Sequence, residues 1–309
     1  MSHHHHNHAH NHVHANAAGS GHDAAFAIGT ALNLGFVTAE ILFGLAANSM
    51  ALLADAAHNF GDVLGLLLGW GAAWLTRLPP TGRRTYGWGR SSILAVLLNA
   101  TILLIGVGAI GVEAVQRLLA PQPVAETTVI LVAAVGIVVN GASALLFMRG
   151  RARDLNIRMQ FAHLAADAFV SLGVVVAGLL IWLTGWLWLD ALASLAIALV
   201  IVFGTWGMLR ESVDLAMDAV PEGVVRNDVQ DYLASVPGVL EVHDLHIWGL
   251  STTETALTAH LVCVEEAGDR RLHELTAALH ERFGIGHATL QIETDADAEM
   301  CRLRPHDVV

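Results

Sequence analysis

Long apolar stretches fill the first two thirds of the chain, at about 24–47, 50–76, 92–119, 124–148, 157–184 and 187–209. A helix needs roughly 20 mostly apolar residues to cross the hydrocarbon of a bilayer. Each stretch therefore predicts a membrane span. Beyond residue 219 the pattern changes. Residues 223–235 and 269–283 read as helices, and 239–249, 254–264 and 287–293 as strands. In the last of these, Ala288, Leu290 and Ile292 alternate with His287, Thr289, Gln291 and Glu293, the period of a half-buried strand. Helix, strand, strand, helix, strand suits a small two-layer α+β domain. The expected organisation is a low-complexity segment over 1–23, an all-α membrane domain over 24–218 and an α+β domain over 219–309. The first segment holds nine of the 18 histidines and little apolar surface, so disorder is expected there.

Composition agrees with a membrane protein: 54% of the 309 residues are hydrophobic and only 14% charged, with a mean hydropathy of +0.55. The formal charge of −12 is uneven. Residues 219–309 carry 16 acids against 6 Arg, and the rest 12 acids against 10 Arg. An acidic end attracts cations and repels nucleic acid, which is not expected as a partner. There is no Lys. Arg77, Arg83, Arg84 and Arg90 follow the second span, Arg149, Arg151, Arg153 and Arg158 the fourth, and Arg210 the sixth, with only Arg117 on the other side. The positive-inside rule then predicts both termini in the cytoplasm. Cys263 and Cys301, the two cysteines, both lie in the C-terminal part, which argues against a disulfide framework. The N-terminus lacks a basic n-region, so no cleavable signal is expected.

Two histidines interrupt the spans, and each has an aspartate four residues later: His58 with Asp62 in span two, His163 with Asp167 in span five. Positions i and i+4 share a helix face. An aspartate at a helix centre costs about 2.5–3.5 kcal/mol on insertion, so two of them call for a compensating partner. Two such helices facing each other present two imidazoles and two carboxylates, the number and kind of ligand that tetrahedral zinc takes. The alternative is a polar cluster that joins helices or lines a water cavity. Asp55, three residues before His58, is an auxiliary candidate: a proton relay, an attractor of ions near the outer mouth, or a cap of the short outer loop. Glu40, Asp190, Asn33 and Asn140 read as supporting hydrogen-bond partners between helices. No His-Glu-x-x-His motif is present, so an intramembrane metalloenzyme is not expected.

Five blocks, NSMALLADAAHNFGD (48–62), RRTYGWGR (83–90), AHLAAD (162–167), VHDLHIW (242–248) and HATLQIE (287–293), resemble those of the cation diffusion facilitator family, in its zinc-transporting branch and bacterial type. The resemblance implies six transmembrane helices and a cytoplasmic ferredoxin-like domain that pairs two subunits as a homodimer. It implies proton-coupled Zn²⁺ efflux by alternating access across the inner (plasma) membrane, with a Co²⁺, Ni²⁺ or Fe²⁺ exporter of the same fold as the alternative. By position it makes His58, Asp62, His163 and Asp167 the transport ligands, and it gives His243, His260, His287 and Glu293 the places of metal ligands in the C-terminal domain. His287 and Glu293 are six residues apart on one strand, about 20 Å at ~3.3 Å per residue. One site of His243, His260 and Glu293 is therefore expected, with His287 elsewhere or bridging; the alternative is surface histidines on a zinc-free dimer. His246 is expected on the strand face opposite His243, beside Trp248, and Cys301 as a stray thiol rather than a weak ligand. Two departures from the family pattern stand out. Ser91 and Ser92 follow Arg90 where a Glu is usual, and the connection RGRARD (149–154) has no His, leaving metal capture to the N-terminal tract.

Overall fold

The computed structural model describes residues 22–147, 155–264, 268–294, 301, 303 and 304. The N-terminal histidine tract and the RGRARD connection lie outside the described residues. Six helices come first: α1 (His22–Ala47), α2 (Met50–Thr76), α3 (Ser91–Leu119), α4 (Glu126–Phe147), α5 (Leu155–Thr184) and α6 (Trp188–Ala216). The last five are long and apolar enough to cross a membrane, and the described part of α1 adds the apolar stretch Asn33–Ala47. Large apolar side chains point outward along them, among them Leu42, Trp70, Ile105, Phe169 and Phe203. In water such a surface would be unstable; against lipid it is what a span requires. Inside, Leu52, Val107, Val129, Val174 and Ile201 belong to one buried cluster.

The start of α2 is fixed by polar groups that sequence periodicity does not reveal. Asn48 takes a left-handed backbone (φ 55°) between α1 and α2, and Arg117 holds it by donating to its carbonyl at 2.7 Å and to its Oδ1 at 2.8 Å. Ser49 caps α2, its Oγ accepting from the Leu52 N–H at 3.2 Å. Asp190, in the first turn of α6, accepts from Ser49 Oγ (2.5 Å) and from the Met50 and Ala51 N–H groups (2.6 and 3.3 Å). A buried carboxylate at a helix N-terminus satisfies orphan N–H groups and faces the positive end of the dipole. This clasp sets the register of the helix that carries His58 and Asp62.

Helix α6 runs seven residues past the expected end of span six. Its apolar pattern stops near Arg210, but the backbone continues as a polar extension whose Leu215 is buried.

The chain packs as two compact units, one made of residues up to Trp70 with Leu98–Met208, the other of Gly71–Leu97 with Leu209–Val309. In the second unit follow α7 (Arg226–Ser235), β1 (Val239–Gly249), β2 (Thr255–Cys263), α8 (Asp269–Phe283) and β3 (Ile285–Glu293). Strands β1 and β2 are antiparallel, and β3 joins β2 in parallel, as the α8 crossover demands. One sheet face packs on the helices through Val229, Leu233, Leu245, Ile247, Leu257, Leu261 and Leu279. The expected α+β architecture is thus present. The loop before α3 packs within this same unit: the Thr252 N–H donates to Ser92 Oγ at 3.1 Å, Arg90 pairs with Asp218, and a side chain at Gly89 would meet the Leu250 carbonyl oxygen at 2.8 Å.

Candidate metal centres

In the membrane unit, α2 and α5 bring the two His-x-x-x-Asp pairs together, and the pairs cross. His58 Nε2 stands 3.0 Å from Asp167 Oδ1, and His163 Nε2 3.3 Å from Asp62 Oδ2 and 3.7 Å from Asp167 Oδ2. The two imidazoles meet edge to face with centroids 6.2 Å apart. Ligand atoms of His58, Asp62 and Asp167 lie within 4.8 Å of one another. Bonds of about 2.0–2.2 Å to a tetrahedral zinc put neighbouring ligand atoms roughly 3.3–3.5 Å apart. The observed separations of 3.0, 3.3 and 3.7 Å bracket that value.

Asp55 is fully buried and points to a different set of partners. Its Oδ2 accepts from Ser171 Oγ at 2.9 Å, and Asn59, one turn further along the same face of α2, bonds to Glu40 on α1. Glu40 Oε2 accepts from Asn59 Nδ2 at 2.9 Å. Gly136 on α4 makes room for this: a Cβ there would stand 2.9 Å from Ser171 Oγ and 3.0 Å from Phe36.

The second cluster lies on the sheet face turned away from the core. His243 on β1 pairs in register with His260 on β2. Glu293 ends β3; its Oε1 is 2.8 Å from His260 Nδ1 and its Oε2 3.5 Å from His243 Nε2. His243 is fully buried, yet neither ring nitrogen has a hydrogen-bond partner among the described residues, and neither has Glu293 Oε2. Buried polar atoms left so are costly, and an ion held by His243 Nε2 and Glu293 Oε2, 3.5 Å apart, would satisfy two of the three. Cys301 Sγ stands 3.6 Å from His260 Nδ1. A tetrahedral edge between sulfur and nitrogen on zinc is also roughly 3.6 Å, from bonds of about 2.3 and 2.05 Å. All four residues qualify as one group whose ligand atoms lie within 4.8 Å of one another.

His287 stands apart from this group, its ring edge to face with Tyr86 at 5.5 Å. The strand spacing separates it from Glu293, and the structure does not bring it back. Cys301, expected as a stray thiol rather than a weak ligand, stands beside the cluster: Arg304 forks onto Glu241 of β1 at 3.2 and 2.8 Å, which ties this part of the tail to the sheet near His260. One expectation needs correction. His246 is not on the face opposite His243. A bulge between the two residues, where Asp244 takes φ 48°, shifts the register by one and returns His246 to the His243 side, where it meets Asp244 Oδ1 at 2.9 Å. The remaining cysteine, Cys263, faces the core, and burial raises its thiol pKa against a smaller opposing effect of Arg271.

A bundle of apolar helices with two converging His–Asp pairs, joined to a small α+β domain bearing a second ligand cluster, defines a multi-pass membrane transporter of metal cations. Residues 26–215 match the cation efflux transmembrane domain, and residues 221–295 the cytoplasmic domain of cation efflux proteins. The chain belongs to this family, the cation diffusion facilitators, and is a transporter rather than an enzyme. It is 33% identical over 276 residues to the metal cation efflux system protein CzcD of Cupriavidus metallidurans, across 88% of this chain and 87% of that protein. The cadmium, cobalt and zinc/H(+)-K(+) antiporter of Bacillus subtilis is 31% identical over 268 residues, 85% of this chain and 86% of the relative. The zinc transporter ZitB of Escherichia coli is 31% identical over 262 residues, 84% and 83% of the two chains.

Proposed function

We propose that the protein exports Zn²⁺ from the cytoplasm in exchange for protons, with His58, Asp62, His163 and Asp167 as the transport ligands. The crossed His–Asp pairing carries this reading, because each helix supplies one nitrogen and one oxygen at tetrahedral spacing. Metal ligands must be deprotonated, so protons compete for the same lone pairs. A site loaded from the cytosol releases its ion when, facing outward, it takes protons from a more acidic exterior. Rocking of helices about the fixed site supplies alternating access. The arginine distribution supports cytoplasmic termini for a protein of the inner (plasma) membrane of a bacterium. The similarity to ZitB supports zinc as cargo, and the name of the Bacillus subtilis relative, an antiporter with protons, supports proton exchange. That same name, and the affinity of nitrogen and oxygen sites for neighbouring divalent metals, keeps Co²⁺ and Cd²⁺ as a second reading.

The C-terminal domain, proposed to span 219–309 after a membrane domain over 24–218, pairs two chains in a homodimer. There His243, His260, Glu293 and Cys301 would hold a resident Zn²⁺, which when bound supplies a cross-link between the sheet and the chain's tail. The N-terminal tract, 1–23, captures metal and raises its local concentration.

Uptake of zinc into proteoliposomes with and without an imposed proton gradient tests the transport reading. Accumulation should require the gradient and vanish in His58→Ala. Uptake at full rate without a gradient would refute antiport, and normal transport by His58→Ala would refute the site.

A further inference from the structure

The pair of carboxyl groups buried beside the ion site is not accounted for by the four ligands. Glu40 and Asp55 are both fully buried, on α1 and α2, and Glu40 reaches the α2 face that carries Asp55: it accepts at 2.9 Å from Asn59, four residues after Asp55 on the same helix face. Among the described residues each has one side-chain donor: Asn59 Nδ2 for Glu40 and Ser171 Oγ for Asp55. The other oxygens, Glu40 Oε1 and Asp55 Oδ1, have no donor among the described residues. Two carboxylates so placed repel strongly in a medium of low dielectric, and they share a site only when one carries a proton. A proton on the pair supplies the missing donor. Helix joining alone does not explain the arrangement, since an amide at position 40 would provide the same bridge without the second acid.

We propose that Glu40 and Asp55 form a proton-holding site that loses its proton when Zn²⁺ binds beside it, and so carries one exchanged proton outside the ligand shell. The proposal rests on His58, Asp62, His163 and Asp167 being the ion site. The two sites are neighbours along both helices. Asp55 lies one turn before His58 on α2, Ser171 one turn after Asp167 on α5, and Asn59 follows His58 directly. The charged groups of the ion site near Asp55 are His58 and Asp167. A divalent ion between them favours a negatively charged pair. The bond broken is carboxyl O–H, and the proton passes to solvent on the side from which zinc enters. On zinc release the reverse step takes a proton from the other side. No oxidant or further reactant is needed.

The test is the number of protons released per Zn²⁺ bound by the full chain in detergent, read with a pH indicator dye or by calorimetry in buffers of different ionisation heat. Glu40→Gln keeps an oxygen for Asn59 and offers Asp55 an N–H donor, so the helix contact survives. Its proton release should fall by about one relative to the unaltered chain, and the slope of log zinc affinity against pH by about one. Protons from the histidine tract and the cytoplasmic cluster are common to both proteins and cancel in the difference. Asp55→Asn, made in parallel, should give the same loss. Equal proton release by the unaltered chain and a zinc-binding Glu40→Gln protein would overturn the proposal. Loss of this difference together with unchanged zinc binding in His58→Ala would instead overturn the ion site on which it rests.

Discussion

Removing the His58 imidazole perturbs the membrane site at its tightest contact, Nε2 to Asp167 Oδ1 at 3.0 Å. Zinc held by four protein ligands is bound with about 10–16 kcal/mol. One ligand in four then accounts for about 2.5–4 kcal/mol, or roughly 100- to 1,000-fold in affinity. In a thermal-unfolding assay, zinc at 100 times its dissociation constant stabilises the folded protein by about 2.7 kcal/mol. After a 100-fold loss, the same zinc concentration gives about 0.4 kcal/mol. This shift is best read in a chain whose His243 and His260 are also alanine, so that the cytoplasmic cluster contributes nothing. Combining His58→Ala with Asp167→Asn sharpens the test. If both side chains hold one ion, the double variant loses much less than the sum of the single losses. Strictly additive losses, or a zinc-induced shift of unchanged size in His58→Ala, would show that these side chains do not share an ion.

Three further consequences can be measured directly. Cys301 should react with iodoacetamide in the folded, metal-free protein and be protected by Zn²⁺. Cys263, 2% exposed and with a raised thiol pKa, should react only after unfolding; mass spectrometry of the labelled peptides decides this, and labelling of Cys263 at the Cys301 rate would count against the geometry. Asp190→Ala leaves the Met50 and Ala51 N–H groups and the Ser49 hydroxyl without their acceptor, at a cost of about 2–4 kcal/mol. Its unfolding midpoint in detergent should drop, with Asp190→Asn in between. Gly89→Ala drives a Cβ to within 2.8 Å of the Leu250 carbonyl oxygen, an overpacking worth about 1–3 kcal/mol, and hydrogen exchange across 76–92 should quicken.

The proposed ion site is legible in the sequence because its candidate ligands lie on regular helices. The i, i+4 spacing of His58 with Asp62 and of His163 with Asp167 fixes each pair on one face, and the cost of charge in hydrocarbon makes such pairs conspicuous. What the spacing could not give was the crossing, in which each histidine meets the aspartate of the other helix. Glu40 and Asp55 were visible as polar residues in spans, but their meeting on one face of α2, through the Asn59–Glu40 bond, depends on how α1 leans on α2. The same division holds in the C-terminal domain. His243, His260 and Glu293 sit on strands whose alternation can be counted. Cys301 and His246 depend on features with no period, namely the Arg304–Glu241 fork and the bulge at Asp244. Asp190 was read as a supporting partner, and only the three-dimensional arrangement shows that it caps the helix carrying two of the ligands.

The two ligand clusters differ in a way that follows from their proposed tasks. In the membrane cluster, Asp167 is 4% exposed, whereas the side chains of Asp62 and His163 are 34% and 40% exposed. One ligand is anchored in the protein and others face an open path. In the cytoplasmic cluster, His243 is 0%, Glu293 4% and His260 12% exposed. A carrier must release its ion in every cycle, so a site closed on all sides would trade turnover for affinity. A resident ion has the opposite requirement, because its contribution lasts only while it stays bound. The membrane cluster also borders a pair of acids that gains or loses charge with the ion, while two buried atoms that face each other in the cytoplasmic cluster, His243 Nε2 and Glu293 Oε2, have no hydrogen bond to fall back on. Emptying the first site is offset by protons. Emptying the second leaves buried polar atoms unsatisfied, and that penalty is what would retain the metal there.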